Sequence, residues 1–498
     1  MAVRRGRSER RGEAYTVPYG EPLSEARTKP ADIFNIMLTM RYWPILLLFL
    51  TLVGLGGYLY FVELPTKQRE DKQEVERTHL FPFPEVTITG VTITTAQGPV
   101  AITLTEPGKW SITSPLQTDA DTREVQTLIR ALVTGTVMRT VEEKATALSP
   151  FGLEQPVTVI TVTAGSQQDT LSIGDSGPLS NTLYVLRGSD QHVLLTDLTA
   201  KHFINKTLLT FRRKDLLRFV QNDVERVRLT YPTTEIVLYN TTKDKPKPMW
   251  TIRYPIETEA DQTEVRSLLF RLEDLKALGM IDPGPARDVV AKTLTTPKVK
   301  VTVHTTDGDQ TVKLYEPDAT SGEAIAETRP DGPLYRISPT AIKDLTKELF
   351  TLQDKRLLGV DYTNIAMLSV NTRDQRYVLI SQQGEWTLED QPTDKLSQEA
   401  ADLFVSRVAN LPAEERVIKQ SAPLAPYGLL APTAEFVATG KDGKIAGKLT
   451  LGNHVGNLVY ATGGRLQGVF QVRPDLLTQV PSKADLLAPS QDKAATSR

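Results

Sequence analysis

“KWSITSP” (109–115) holds one of only four tryptophans in a chain of 498 residues. Trp43 lies in an apolar run near the start; the other three stand in “KWSI” (109–112), “MWTI” (249–252) and “EWTL” (385–388). The phrase Trp, then Ser or Thr, then Ile or Leu recurs at positions 110, 250 and 386. A scarce residue returning in the same phrase at a near-constant step marks an internal repeat, and a repeat decides the fold before any single motif does.

Each tryptophan serves as an origin for the residues after it. Eleven positions on come Asp121, Asp261 and Ser397, all good helix N-caps. Glu124 and Glu264 follow three residues later and complete a capping box in the first two copies. Val125, Leu128, Ile129 and Leu132 then take the i, i+3, i+4, i+7 spacing of one buried helical face. Val265, Leu268, Leu269 and Leu272 match them in the second copy, and Ala401, Phe404, Val405 and Val408 in the third.

Further along, Leu-x-x-Pro recurs at Leu153/Pro156, Leu294/Pro297 and Leu429/Pro432. An alternating strand begins after each proline: “VTVITVT” (157–163), “KVKVTVH” (298–304) and “AEFVAT” (434–439). A polar turn and a second strand, “TLSIG”, “TVKLY” or “KLTLG”, make a hairpin each time. The phrases “RKDLLRF” (213–219), “DKRLLGV” (354–360) and “KADLL” (483–487) read as the ends of the copies. The expected unit is a β-hairpin, a helix, then several antiparallel strands. The fold class is therefore α+β: three tandem repeats of antiparallel strands, each with one packed amphipathic helix, over residues 85–219, 220–360 and 361–489. Each is a normal single-domain size, about 130–140 residues.

Ahead of the repeats, “WPILLLFLTLVGLGGYLYFV” (43–62) carries no charge over twenty residues. At about 1.5 Å per residue such a helix covers the ~30 Å hydrocarbon core once, with Trp43, Tyr58 and Tyr60 at interfacial depth. No small-x-small cleavage site follows, so an N-terminal transmembrane helix is expected rather than a signal peptide. Lys/Arg residues close to the run number three before it and four after it, a local tie; counting the whole 1–42 tail gives eight before the run against those four after it. The tail count favours an N-terminus inside and a large extracytoplasmic region. Residues 1–42 read as a largely disordered cytoplasmic tail, 63–84 as a charged stalk and 490–498 as a disordered tail.

Composition removes several classes of function. The formal net charge is −2, and no basic stripe follows the N-terminal tail, which argues against nucleic-acid binding. The absence of cysteine excludes disulfides, thiolate metal sites, Cys nucleophiles and a lipoprotein-type anchor. No G-x-x-x-x-G-K-[ST] loop is present, so the chain is not itself an ATPase.

The anchor “RYWPILLLFLTLVGLGGYLYFVE”, the phrases W-x-[IL], [YF]-G-L-x-x-P and L-x-[IL]-G, and the short Tyr strands “LYVL” (183–186) and “LVYA” (458–461) carry a family resemblance. Over roughly residues 41–489 the chain resembles a bacterial family of single-pass proteins, a domain of unknown function often encoded beside gliding-motility-type ABC exporter components. The second copy departs from that pattern, with Lys292-Thr293 in place of aromatic-Gly and Tyr315 in place of the last glycine of L-x-[IL]-G. The resemblance implies an extracytoplasmic accessory of a transporter and no known catalytic residue.

Candidate chemistry is thin. “GDSGP” (174–178) resembles the serine motif of trypsin-like proteases, but a Ser176 nucleophile needs a base held by a third group. Gly174 matches Gly452 in the repeat, which makes the stretch a loop between strands. The histidines, His79, His192, His202, His304 and His454, lack ligand spacing such as H-E-x-x-H. Asp119, Asp121 and Glu124 suggest Ca²⁺, yet no EF-hand loop is present and capping accounts for two of them. The three repeated tryptophans read as core. No catalytic, cofactor or metal residue is therefore assigned.

Two functions are expected from the sequence. The first is a non-catalytic, membrane-anchored extracytoplasmic accessory subunit of an ABC-type exporter, partnered by the membrane and by the transporter's membrane subunits. The second is a structural or adhesive envelope protein whose domains bind wall or surface polymers.

Overall fold

A computed structural model describes residues 43–63, 78–81, 83–144, 146–199, 202–242, 249–317, 322–418 and 423–487. The expectations for the 1–42 tail, for 64–77 of the stalk and for the 490–498 tail lie outside those residues. The chain divides into two units, one ending at Phe211 and one beginning at Arg212; the first holds one sheet and the second holds two.

In the first unit, β1 (Ile88–Thr95), β2 (Gly98–Glu106), β3 (Lys109–Ser114) and the short β4 (Thr118–Asp119) form a meander. The Thr122–Thr134 helix follows, then β5 (Val137–Glu142), β6 (Thr158–Ala164), β7 (Gln167–Ser176), β8 (Leu183–Arg187) and β9 (Val193–Thr196). The strand order is β4-β3-β2-β1-β6-β7-β8-β9-β5, with every pairing antiparallel. The helix carries the chain from one sheet edge to the other. The strand after the Leu-x-x-Pro phrase then drops beside β1 at the centre.

The second sheet repeats this with β10 (Val224–Thr230), β11 (Glu235–Asn240), β12 (Trp250–Tyr254), β13 (Thr258–Glu259), β14 (Gly279–Ile281), β15 (Val299–Thr305), β16 (Gly308–Tyr315), β17 (Ala324–Glu327) and β18 (Leu334–Ile337). Its order, β13-β12-β11-β10-β15-β16-β17-β18-β14, matches the first position for position. The third sheet has β19 (Ile365–Thr372), β20 (Arg376–Gln382), β21 (Glu385–Leu388), β22 (Glu415–Ile418), β23 (Ala434–Gly440), β24 (Ile445–Val455), β25 (Leu458–Gly463) and β26 (Val469–Val472). It lacks only the short edge strand, in the order β21-β20-β19-β23-β24-β25-β26-β22. Each tryptophan stands on the third strand of a meander, so the expected opening hairpin is a three-stranded element whose first strand is central to the sheet.

The helical faces match the sequence reading. Val125, Leu128, Ile129 and Leu132 are buried in the first helix and Val265, Leu268, Leu269 and Leu272 in Gln262–Glu273. Ala401, Phe404, Val405 and Val408 are buried in Gln398–Ala409. Trp110, Trp250 and Trp386 are all buried, each in a separate core. The strand after the first Leu-x-x-Pro phrase alternates buried and half-buried positions over Thr158–Ala164.

The edges of the units differ from expectation. Leu216 and Leu217 belong to the second core, and Leu357 and Leu358 to the third. Each pair sits beside an isolated bridge, Asp215 to Lys276 and Arg356 to Pro412, that ties the unit's opening to the segment after its helix. His79 bridges Thr136 in the same way, next to the buried Leu80 and Phe81. The Leu-Leu phrases therefore open copies rather than close them, and the boundaries 219/220 and 360/361 fall several residues late. The 63–84 stalk likewise runs into the first domain at its C-terminal end. “KADLL” is a different element: a short helix, Lys483–Leu486, that corresponds to Leu208–Phe211 and Leu349–Leu352.

The departures of the second copy have a packing cause. Where the other copies make a 3₁₀ turn ending at Gly152 or Gly428, the second makes a helix, Pro285–Thr293. Val290, Ala291 and Leu294 pack on Tyr315, Ile325 and Leu334, a satellite cluster the other copies lack among the described residues. In those copies Gly174 and Gly452 are needed because a Cβ would stand 2.2 Å and 2.1 Å from the carbonyl oxygens of Phe151 and Tyr427. In the second copy Tyr315 packs against the helix that replaces the turn.

The uncharged N-terminal run is helical, but not as one α-helix over 43–62. An α-helix covers Trp43–Tyr58 and a π-helical turn covers Leu59–Glu63. Sixteen α-helical residues rise about 24 Å. Among the described residues no helix is long and apolar enough to cross a membrane.

Leu217→Ala should destabilise the second domain by about 2–5 kcal/mol, the cost of deleting a buried leucine side chain. Hydrogen exchange in the full chain should then quicken in β10–β18 and stay unchanged in β1–β9; the opposite pattern would return the pair to the first domain.

Candidate functional site

Each Trp strand is held to the helix that follows it by local hydrogen bonds. Asp121 accepts from the amides of Arg123 and Glu124 at 3.1 and 3.3 Å, and Asp261 does the same for Thr263 and Glu264. The expected reciprocal half of the capping box does not form. The N-cap amides of Asp121, Asp261 and Ser397 instead donate to the carbonyls of Phe211, Leu352 and Leu486 at 2.7, 2.8 and 2.8 Å. Glu124 and Glu264 turn outward to Lys206 and Lys347 at 3.3 and 3.2 Å. One residue the sequence reading missed is the first of the helix. Gln262 takes the Trp250 amide on Oε1 and donates Nε2 to the Trp250 carbonyl, and Gln398 clamps Trp386 likewise. The glutamine twelve residues after a tryptophan was its visible trace.

The outer end of the tryptophan differs between copies. In the third domain Trp386 Nε1 donates to Asp402 Oδ1 at 2.8 Å, and the Tyr362 hydroxyl donates to the same oxygen. Tyr362 opens the 3₁₀ turn Tyr362–Asn364 that leads into β19, and its ring packs on the core. Burial pushes its phenol up, and the Asp402 bond adds to that despite the opposing Trp386 contact. In the first domain the matching turn is Glu85–Thr87, and the position of Asp402 is held by Gln126. There a groove of about 560 Å³ opens over the tryptophan, lined by Glu85, Val86, Leu104, Trp110, Gln126 and Ile129. Val86 is 92% exposed beside it.

A second concave feature lies where the second and third domains meet within one unit. Asp354 Oδ2 accepts from Arg356 Nε at 2.8 Å and pairs with Arg465 Nη1 at 3.1 Å. Arg465 Nη2 also reaches Glu259 Oε2 of the second domain at 2.9 Å. Phe350, from the second domain's last helix, stacks on Phe470 of the third with Arg416 over both rings. Burial works to raise the Asp354 carboxyl, but the Arg356 bonds and the Arg465 and Arg356 charges outweigh it, holding it below the usual carboxylate range. A polar depression of about 480 Å³ opens beside this network, lined by Glu259, Arg356, Asp361, Lys441, Asp442 and Arg465.

The residues singled out in the sequence are not brought together. Ser176 is exposed at the end of β7, where it pairs in register with Leu183. His192 lies 3.1 Å from Asp190, and His304 lies between Glu225 and Asp309. His79 contacts Thr78, His202 stands against Phe203, and His454 is on β24. Asp119 is on β4 while Asp121 caps the helix. Among the described residues no group of three or more His, Asp or Glu side chains is placed to hold a metal ion.

A family profile for a domain of unknown function, DUF4340, matches residues 110–297 and again residues 250–432. The chain belongs to this family. Both DUF4340 matches begin on a repeated tryptophan, Trp110 or Trp250, and overlap, as tandem copies of one frame require. No curated protein matches the chain.

The junction network makes a pH prediction. Because the Asp354 pKa is depressed by folding, its contribution is fully present above the unfolded value near 3.9 and is lost as pH falls through the lower folded value. The full chain should lose thermal stability below about pH 4, and Asp354→Asn should flatten that loss. At neutral pH the variant should be less stable by up to about 3 kcal/mol, as for a broken partly buried pair. An acid limb identical in the two proteins would remove Asp354 from the account.

Proposed function

We propose that the chain is a non-catalytic, membrane-anchored accessory subunit of an ABC-type exporter, with residues 63–498 outside the cytoplasm. The observation that carries the reading is an uncovered apolar helix joined to three copies of one β-rich frame. Leu46, Leu47, Leu48, Phe49, Leu50, Leu52, Val53 and Leu55 are all exposed on that helix. A helix apolar all round calls for an apolar surround. The α-helix and the π-helical turn after it run together from Trp43 to Glu63, which supports seating in a bilayer with some local thinning. Gly54, Gly56 and Gly57 leave open space where a Cβ would stand, the kind of small-residue surface on which membrane helices pack. Repeating a frame multiplies binding surface, and the copies diverge in the grooves beside their tryptophans as well as in the second copy's added apolar cluster. The exporter as partner follows from the resemblance of the anchor and repeat motifs.

Purification in mild detergent from the native membrane is expected to bring down the membrane subunits of an ABC-type exporter. Protease added to spheroplasts is expected to digest the repeat domains. Replacing residues 43–62 with a Leu/Ala span of equal length separates two roles: lost co-purification with membrane localisation kept makes the helix an interface, whereas retention of both leaves recognition to the repeats. Retention on wall polymer with no transporter subunit would replace this reading with that of an envelope spacer.

A further inference from the structure

The three copies differ most informatively at the outer end of the tryptophan. In the third domain a tyrosine, Tyr362, lies against the Trp386 side chain and shares Asp402 with it. In the second domain the corresponding Gln221 is tied to Glu273 at 2.6 Å. In the first domain neither arrangement is present. Glu85 and Gln126, the counterparts of Tyr362 and Asp402, are both exposed and line an open groove of about 560 Å³. Among the described residues no acceptor is bonded to Trp110 Nε1. The groove has an apolar floor formed by Ile88, Leu104, Trp110 and Ile129, more apolar than the third domain's, where Ser381 stands in place of Leu104, and it lacks the tyrosine that packs on the core there.

We propose that the groove over Trp110 binds a tyrosine side chain of a partner polypeptide, with basic residues next to that tyrosine. The chain itself supplies the template: Tyr362 in the third domain shows that a phenol fits against this tryptophan frame, and Gln126 can exchange a hydrogen bond with a phenol where Asp402 accepts one. The flanking charge follows from the rim. Glu85 and Glu106 stand at the mouth, and the only cation paired with either is Lys109, 3.6 Å from Glu106, among the described residues. Their field favours lysine or arginine beside the bound ring. Val86, exposed and apolar, gives that ring a second wall. The site lies wholly within the first domain and does not depend on the exporter reading.

The test uses the full chain in detergent micelles, labelled with 5-fluorotryptophan, with each ¹⁹F signal assigned by a Trp→Phe variant. Acetyl-Lys-Tyr-Lys-amide should shift the Trp110 signal saturably and leave Trp250 and Trp386 in place. Acetyl-Lys-Ala-Lys-amide should leave all of them in place. Glu85→Lys with Glu106→Lys changes only exposed positions and should transfer the response to acetyl-Glu-Tyr-Glu-amide. The pair Glu85→Tyr and Gln126→Asp rebuilds the third domain's arrangement and should abolish the response with the fold retained. A Trp110 signal unmoved at about 10 mM peptide, weaker than any specific contact of this size, would overturn the proposal. So would an equal shift with the alanine peptide, or a response that survives the rebuilt plug.

Discussion

The first amide groups of a helix have no partner inside it, and in this protein each repeat is closed by giving one of them away. The N-cap amide of Asp121, Asp261 or Ser397 bonds the carbonyl of Phe211, Leu352 or Leu486, some ninety residues later in its own unit. The bond joins the helix that crosses the sheet to the short helix that ends the copy. Around it the rest is placed: in the second and third copies the tryptophan strand is clamped to the first turn of the same helix by Gln262 or Gln398, and in all three the apolar face behind the cap has nowhere to lie but on the sheet. The same contact frees Glu124 and Glu264 from the backbone and leaves them to Lys206 and Lys347.

Between the second and third domains the ordering is electrostatic as well as apolar. Two carboxylates, Glu259 and Asp354, face two guanidinium groups, Arg356 and Arg465. Phe350 supplies the apolar part by leaving its own domain to stack on Phe470. Gly359 makes the approach possible, since its backbone takes a φ of 75° and a Cβ there would meet the Arg465 side chain at 2.5 Å. The pairing therefore rests on a backbone conformation as much as on charge.

What the sequence disclosed were features whose cause is local. Helical faces and hairpins depend on spacing within a dozen residues, and the fixed offsets from Trp110, Trp250 and Trp386 located them in all three copies. Strands β1, β10 and β19 were missed because a central strand is defined by its partners, and one of those arrives about seventy residues later. The Leu-Leu phrases were assigned to the wrong side of each boundary for the same reason: their bridges reach past the helix to residues 276 and 412. The capping box was half legible, since Asp121 and Asp261 do cap, while the competing carbonyl comes from the far end of the unit. The groove over Trp110 had no motif at all. It arises from what Glu85 and Gln126 fail to do, and only their counterparts Tyr362 and Asp402 reveal that.

The phase of the family matches has its own consequence for counting. Each matched stretch opens on the third strand of its copy, next to the sheet edge, and runs past the end of that copy into the next, because it is longer than the step from Trp110 to Trp250. A stretch of that length does not frame a single copy, so matches and sheets do not correspond one to one. Two matches here correspond to three sheets. In this chain the sheet, rather than the matched stretch, is the unit to count.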